Sequence, residues 1–189
     1  MATHNFSGKV IALTGGASGM GRATAKALAA RAAIVSIADV QPQKLEEVKS
    51  SIEEAGGRVM IAHVDVRDED QVEKWISDTV AAYGKLDGAA NMAGVIGSEA
   101  TIKPTSEITR KDWDFVLGVN LTGLMHCMRA QIPHMKSPGS IVNAASVSGL
   151  VGWENNGAYC ASKHGVIGLS RCAAKELGPQ NIRVNCFAP

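Results

Sequence analysis

Residues 157–171, GAYCASKHGVIGLSR, place a phenol and an ammonium four positions apart among small and apolar side chains. On a helix that spacing puts Tyr159 and Lys163 on one face. A phenol with an ordinary pKa of about 10 is a poor proton carrier at neutral pH. A neighbouring ammonium favours its deprotonated form, which suits a tyrosine to exchange a proton with an alcohol or carbonyl oxygen. A lone Tyr usually packs and a lone Lys is usually solvated, so it is the pair that points to acid–base chemistry.

A second chemical signal is TGGASGMGR, residues 14–22, which comes after an apolar run and opens a helical pattern. Gly15 suits a tight turn, Gly19 a close backbone approach to a pyrophosphate, and Gly21 close helix–strand packing, with Ser18 and Met20 in the same turn. The N–H groups of the helix start would face the phosphates. Asp39 ends the next apolar run, eighteen residues past Gly21. A carboxylate there can accept hydrogen bonds from both adenosine ribose hydroxyls and repels a 2′-phosphate, which favours NAD over NADP. The same Asp39 is also placed to cap the helix that DVQPQ introduces.

The elements that must position these groups alternate along the chain. Strands are expected over 9–15, 33–39, 58–66, 86–94, 139–146 and the final IRVNCFAP. Helices are expected from Gly19 to Arg31, from Pro42 to a stop at Gly56, from an Asp68/Gln71 capping box, from near Thr109 through residue 131, and over 156–177. Near-continuous Val/Ile/Ala strands separated by helices imply a parallel sheet covered on both faces, and right-handed crossovers make it doubly wound α/β. No linker or low-complexity stretch divides the chain, so residues 1–189 read as one domain.

Nineteen basic against eighteen acidic side chains leave a net charge of +1, which gives no electrostatic case for nucleic acid or an anionic membrane. The first apolar run is short and ends in glycines, unlike a signal core, and no run approaches a membrane span. The four cysteines and five histidines lack metal-ligand spacing, so no metal is expected. Reduced thiols in a cytoplasmic protein are the simplest reading.

Taken together, the chain resembles a classical short-chain dehydrogenase/reductase from Lys9 to Pro189. TGGASGMG matches the family's T-G-x-x-x-G-x-G turn of a Rossmann-type domain and YCASK its Y-x-x-x-K; VNLTG (119–123) and IVNAASVSG (141–149) resemble the segments that carry its Asn and Ser. The resemblance implies an NAD-dependent oxidoreductase moving hydride between the nicotinamide and a secondary alcohol or ketone. Tyr159 would be the general acid/base, and Lys163 would hold the nicotinamide ribose and favour the phenolate. Ser146 would hydrogen-bond the substrate oxygen, and Asn120 would order a water relay behind Lys163. Asp65 with Val66 would meet the adenine, Asn91, Ala93 and Gly94 would form the turn over the adenosine side, and Pro189 would lie on the cofactor side. Read alone, Ser146 also suits a loop cap and Asn120 a helix kink. The resemblance further implies a homodimer or homotetramer, paired through helices at about 109–131 and 156–177.

The sequence departs from the family pattern at three places. Met92 replaces the second Asn of N-N-A-G, so a local packing change is expected. Ala32 stands where the family has a helix-ending Gly. The chain reaches Pro189 where family members continue into a substrate lid and a seventh strand, so the sheet is expected to end after its sixth strand and to lack that lid. This leaves a rival reading, a non-catalytic dinucleotide-binding or oligomerisation module. A methyltransferase with a similar glycine turn fits poorly, because it has no use for Tyr159 and Lys163. In the loop between Ser146 and Tyr159, residues Trp153, Glu154 and Asn155 are candidates for substrate contact, and Trp153 equally suits packing of that loop.

Overall fold

A computed structural model describes residues 5–189; the first four residues of the expected domain lie outside that range. Val10–Thr14 (β1), Ile34–Asp39 (β2) and Leu86–Asn91 (β4) are buried at every position, as strands covered on both faces must be. Arg58–His63 (β3), Met135–Ala144 (β5) and Ile182–Phe187 (β6) complete the described sheet. All pairings are parallel and the order is β3-β2-β1-β4-β5-β6. The order in which strands are added therefore reverses between β1 and β4, and the crevice at the carboxyl ends of those strands is where such sheets bind ligands.

Helices cover both faces. Gly19–Ala29 (α1) and Pro42–Glu54 (α2) lie on one side, over a core of Leu13, Val35, Ile37, Leu45 and Val48. Glu69–Tyr83 (α3) covers the other side, where Trp75 packs with Val10, Ala12 and Leu86. Its indole N–H donates to Ser36 Oγ at 2.8 Å, so the buried ring leaves no polar atom unmet. Gly157–Leu177 (α6) packs Val166, Ala173 and Leu177 against Ile141 and Ile182.

The Asp68 cap forms as expected, its side chain accepting from Gln71 N at 3.1 Å. The return half differs from a capping box: Gln71 Oε1 accepts from Asp65 N at 3.0 Å, which ties the segment after β3 to α3.

The expected continuous helix through residue 131 is a correction. It is split into Arg110–Leu117 (α4) and Gly123–Gln131 (α5) by a π-helical turn over Gly118–Thr122. Such a turn inserts one residue into the helical repeat and re-aims the side chains after it. Among the strands that end earlier than expected, β3 stops at His63 and β4 at Asn91. The released residues line the crevice at the carboxyl ends of the strands.

Ala32 has φ +66°. Ala33 N donates to Leu28 O at 3.1 Å and Ala32 N to Ala29 O at 2.9 Å, the bond pair of a left-handed helix stop that favours glycine. A Cβ in that conformation costs about 1 kcal/mol. Because Ala32 is exposed, Ala32→Gly removes the strain without opening a cavity. We expect it to raise the thermal midpoint by roughly 2–4 °C for a chain of this size; calorimetry showing no rise would contradict this.

Candidate active site

A cleft of about 320 Å³ opens at the carboxyl ends of β1, β2, β3 and β4. Its base is the turn between β1 and α1. Gly15 has φ +69°, and a Cβ there would sit 2.8 Å from Ala93 N. A Cβ on Gly21 would sit 2.0 Å from the Gly15 carbonyl oxygen. Only glycine lets the turn, the helix start and the β4 loop meet this closely. Ser18 makes no side-chain cap and the first turn of α1 holds no acidic residue, so the free N–H groups of that helix start face the cleft.

Gly15, Ser18, Gly19, Met20, Gly21, Asp39, Asp65, Val66, Ala93 and Gly94 all line this cleft. Asp39 is buried; its Oδ2 accepts from Ala17 N at 3.0 Å and its Oδ1 from Gln41 N at 3.1 Å and Gln41 Nε2 at 3.2 Å. It fixes the glycine turn rather than capping α2, whose N-cap is Gln41. The Arg67 guanidinium, hydrogen-bonded to Asp65, holds that carboxyl below the usual carboxylate range.

Asn91 and Pro189 are not among the residues that line this cleft. Asn91 Nδ2 donates to Asn143 Oδ1 at 2.9 Å and to Gln131 Oε1 at 3.1 Å, and Gln131 Nε2 donates back to Asn91 Oδ1 at 2.9 Å. This side chain ties β4 to β5 inside the protein, while Met92 packs against the core beside α1. Pro189 lies off the cleft, its carbonyl accepting from Val147 N at 2.9 Å and Ser146 Oγ at 3.4 Å.

Tyr159 and Lys163 lie one turn apart on α6, with Lys163 Nζ 5.6 Å from the phenol ring centroid. Lys163 is buried and donates to Ala144 O at 2.8 Å. The π turn aims Asn120 away from its own helix: Oδ1 accepts from Val95 N and Nδ2 donates to Val95 O, both at 2.8 Å, and Nδ2 also donates to Ser162 Oγ at 3.0 Å. Ser162 Oγ in turn donates to the Tyr159 carbonyl at 2.7 Å. Ser146 Oγ accepts from Ser148 N at 3.2 Å, so it does cap the short turn after β5. Trp153 and Glu154 are exposed in the loop before α6, and the Asn155 carbonyl accepts from Thr101 N at 2.6 Å.

The cleft and the Tyr159–Lys163 pair meet at Gly94 and Val95. Both line the cleft, and a Cβ on Gly94 would lie 3.3 Å from Lys163 Nζ and 3.4 Å from Asn120 Oδ1. Sequence spacing gives no sign of Ser162 as the link between Asn120 and Tyr159. Thr14 is visible within the glycine motif, but its role emerges only in the fold, where Thr14 Oγ1 accepts from Met92 N and Ala93 N at 3.1 and 3.2 Å. Gln41, Arg67 and Phe115 in the cleft wall carry no sequence signal of their place there either.

Burial pushes the Lys163 ammonium down from 10.5 to about 8. The unfolded chain therefore binds more protons between those values, and stability contributed by this group rises with pH across that window. The penalty of the buried charge is fully present below pH 8. Lys163→Met keeps the bulk and removes the charge, so we expect a gain on the order of 2 kcal/mol at pH 7 that shrinks towards pH 10.5. Denaturant unfolding at several pH values checks this; a variant less stable than the parent at pH 7 would contradict it.

No helix among the described residues is long and apolar enough to cross a membrane. The family model for short chain dehydrogenases matches residues 9–189. The chain is 50% identical over 190 residues to the short-chain dehydrogenase/reductase aba4 of Botryotinia fuckeliana, covering all of this chain and 74% of that protein. It is 40% identical over 191 residues to the levodione reductase of Leifsonia aquatica, covering 99% and 70% of the two chains. The crystal structure of carveol dehydrogenase from Mycobacterium avium in complex with NAD superimposes with a TM-score of 0.93 at 35% identity, covering 99% of this chain and 72% of that one. The chain therefore belongs to the short-chain dehydrogenase/reductase family.

Proposed function

We propose that the protein is an NAD-dependent oxidoreductase acting on a secondary alcohol or ketone. The observation that carries this is the junction at Gly94 and Val95, which brings the end of the glycine-lined cleft against Lys163 and Asn120. The residues present fit the cofactor. Gly15 and Gly21 let the turn close tightly, Gly19 has no protein atom within 4 Å of where a Cβ would stand and so leaves the turn open to a ligand, the start of α1 carries N–H groups for phosphates, and Asp39 faces the cleft as a ribose acceptor. The carveol dehydrogenase relative is itself an NAD complex.

When bound, the nicotinamide supplies or accepts the hydride at the substrate carbon. This chain handles the proton. In reduction the Tyr159 hydroxyl gives its proton to the carbonyl oxygen, and in oxidation the Tyr159 oxygen takes the alcohol proton. The Lys163 ammonium, one turn away, stabilises the charge left on the phenol oxygen and is placed to hold a ribose hydroxyl at the cleft end. Ser146 Oγ, which donates to the Pro189 carbonyl at 3.4 Å, would turn that proton to the substrate oxygen when substrate binds. Asn120 holds the Val95 loop and, through Ser162, the Tyr159 turn. Titration of NADH fluorescence, followed by oxidation assays on a panel of secondary alcohols, tests the reading. Failure to bind NADH would refute it.

A further inference from the structure

We propose that Arg67 is a positioning residue for adenine recognition, holding the Asp65 carboxylate as an oriented acceptor for the 6-amino group of the ring. This rests on the cofactor reading above. Arg67 reaches Asp65 from three N–H groups. Its backbone N and its Nε each lie 3.0 Å from Oδ1, Nε is also 3.0 Å from Oδ2, and Nη2 bonds Oδ2. The other side of the residue is fixed as well, since Asp65 N donates to Gln71 Oε1 at the start of α3. The guanidinium carbon sits 5.4 Å from the centroid of the Phe115 ring on α4, a cation–π contact that fixes the plane of the fork. Asp65, Val66, Arg67, Phe115 and Val119 together form one wall of the cleft.

The acceptor count decides what this wall can read. An ionised carboxylate offers about four lone-pair positions. With the shared Nε hydrogen counted once, Arg67 fills both positions on Oδ1 and one on Oδ2, leaving one Oδ2 position for an outside donor. Arg67 also keeps the carboxyl ionised, so Asp65 accepts and does not donate. A purine with an amino group at position 6 completes the set. A purine with oxygen at position 6 brings lone pair against lone pair. Val66 and Val119 supply apolar contact for the ring, as sites for planar ligands do. Without Arg67 the carboxylate is free to rotate, and the preference for the amino group fades.

The test compares three reduced ligands by fluorescence titration: NADH, its 6-oxo analogue nicotinamide hypoxanthine dinucleotide, and nicotinamide mononucleotide, which lacks the adenine half. The parent protein is expected to bind NADH at least tenfold more tightly than the 6-oxo analogue. In Arg67→Met that ratio should fall to about twofold or less, while affinity for the mononucleotide stays unchanged. Arg67→Lys, which keeps the charge without the planar fork, should give an intermediate ratio. Phe115→Leu, which removes the ring beneath the guanidinium, should lower the ratio in the same direction. An undiminished ratio in Arg67→Met overturns the proposal. So does equal weakening of the mononucleotide, which would mark a general structural role. A parent protein that binds NADH with no preference over the 6-oxo analogue overturns this inference alone. A parent that binds no NADH overturns the cofactor reading with it.

Discussion

Tyr159→Phe should lower turnover of a secondary alcohol by about two orders of magnitude or more, within the range general acid–base catalysis supplies. The substitution keeps the ring that faces Lys163 at 5.6 Å and removes only the hydroxyl group. Helix α6 is held by Ala158, Cys160, Ser162 and Val166 on its buried side, so folding should be unaffected. NADH affinity should stay within about twofold, because the cleft is lined by other residues. Steady-state kinetics beside a binding titration separate these effects. A variant that keeps its rate would remove Tyr159 from the proton step, and one that loses NADH binding would make its role structural.

The second large effect concerns the cofactor's ribose. Asp39 is buried at the mouth of the cleft with both oxygens fixed by N–H donors from Ala17 and Gln41. A 2′-phosphate brought against that carboxylate meets like charge in a poorly solvated place. NADPH should therefore bind at least tenfold more weakly than NADH, a cost of about 1.4 kcal/mol or more. Asp39→Ser should narrow the gap to about threefold. It should also weaken NADH itself, since Ala17 N loses the acceptor that holds the glycine turn. Equal affinities in the parent protein would remove Asp39 from the ribose.

Much of this arrangement is legible in the sequence because its causes are local. Fully buried parallel strands must be apolar throughout, so β1, β2 and β4 announce themselves. The glycine turn is readable because side chains at Gly15 and Gly21 would collide with neighbouring backbone. Ala32 is readable because a helix ends where no glycine stands, and its φ of +66° is the consequence. Of the proposed catalytic set, Tyr159 and Lys163 stand out by type and spacing, whereas Asn120 and Ser146 enter only through the resemblance of their segments to the family's.

The illegible part depends on contacts between distant segments. The π turn at Gly118–Thr122 shifts the helical repeat by one residue, and no proline between Arg110 and Gln131 marks the place in the sequence. The partners of Asn120 lie 25 and 42 residues away, at Val95 and Ser162. Asn91 reads as a turn residue over the cofactor, yet its amide is taken by Asn143, the residue beside it in the sheet register. Arg67 looks like one more charge at the start of a helix until Asp65 and Phe115 close around it.

The central claim is that the cleft and the Tyr159–Lys163 pair form one site for hydride transfer between a nicotinamide and a carbon bearing oxygen. The most direct measurement incubates the protein with NADH deuterated at nicotinamide C4 and a panel of cyclic and acyclic ketones, with mass spectrometry and NMR of the products. The account predicts a secondary alcohol carrying deuterium at the carbinol carbon, formed by the parent protein and nearly abolished in Tyr159→Phe. Bound NADH with no deuterium delivered to any ketone carbon, or equal delivery by Tyr159→Phe, would contradict it.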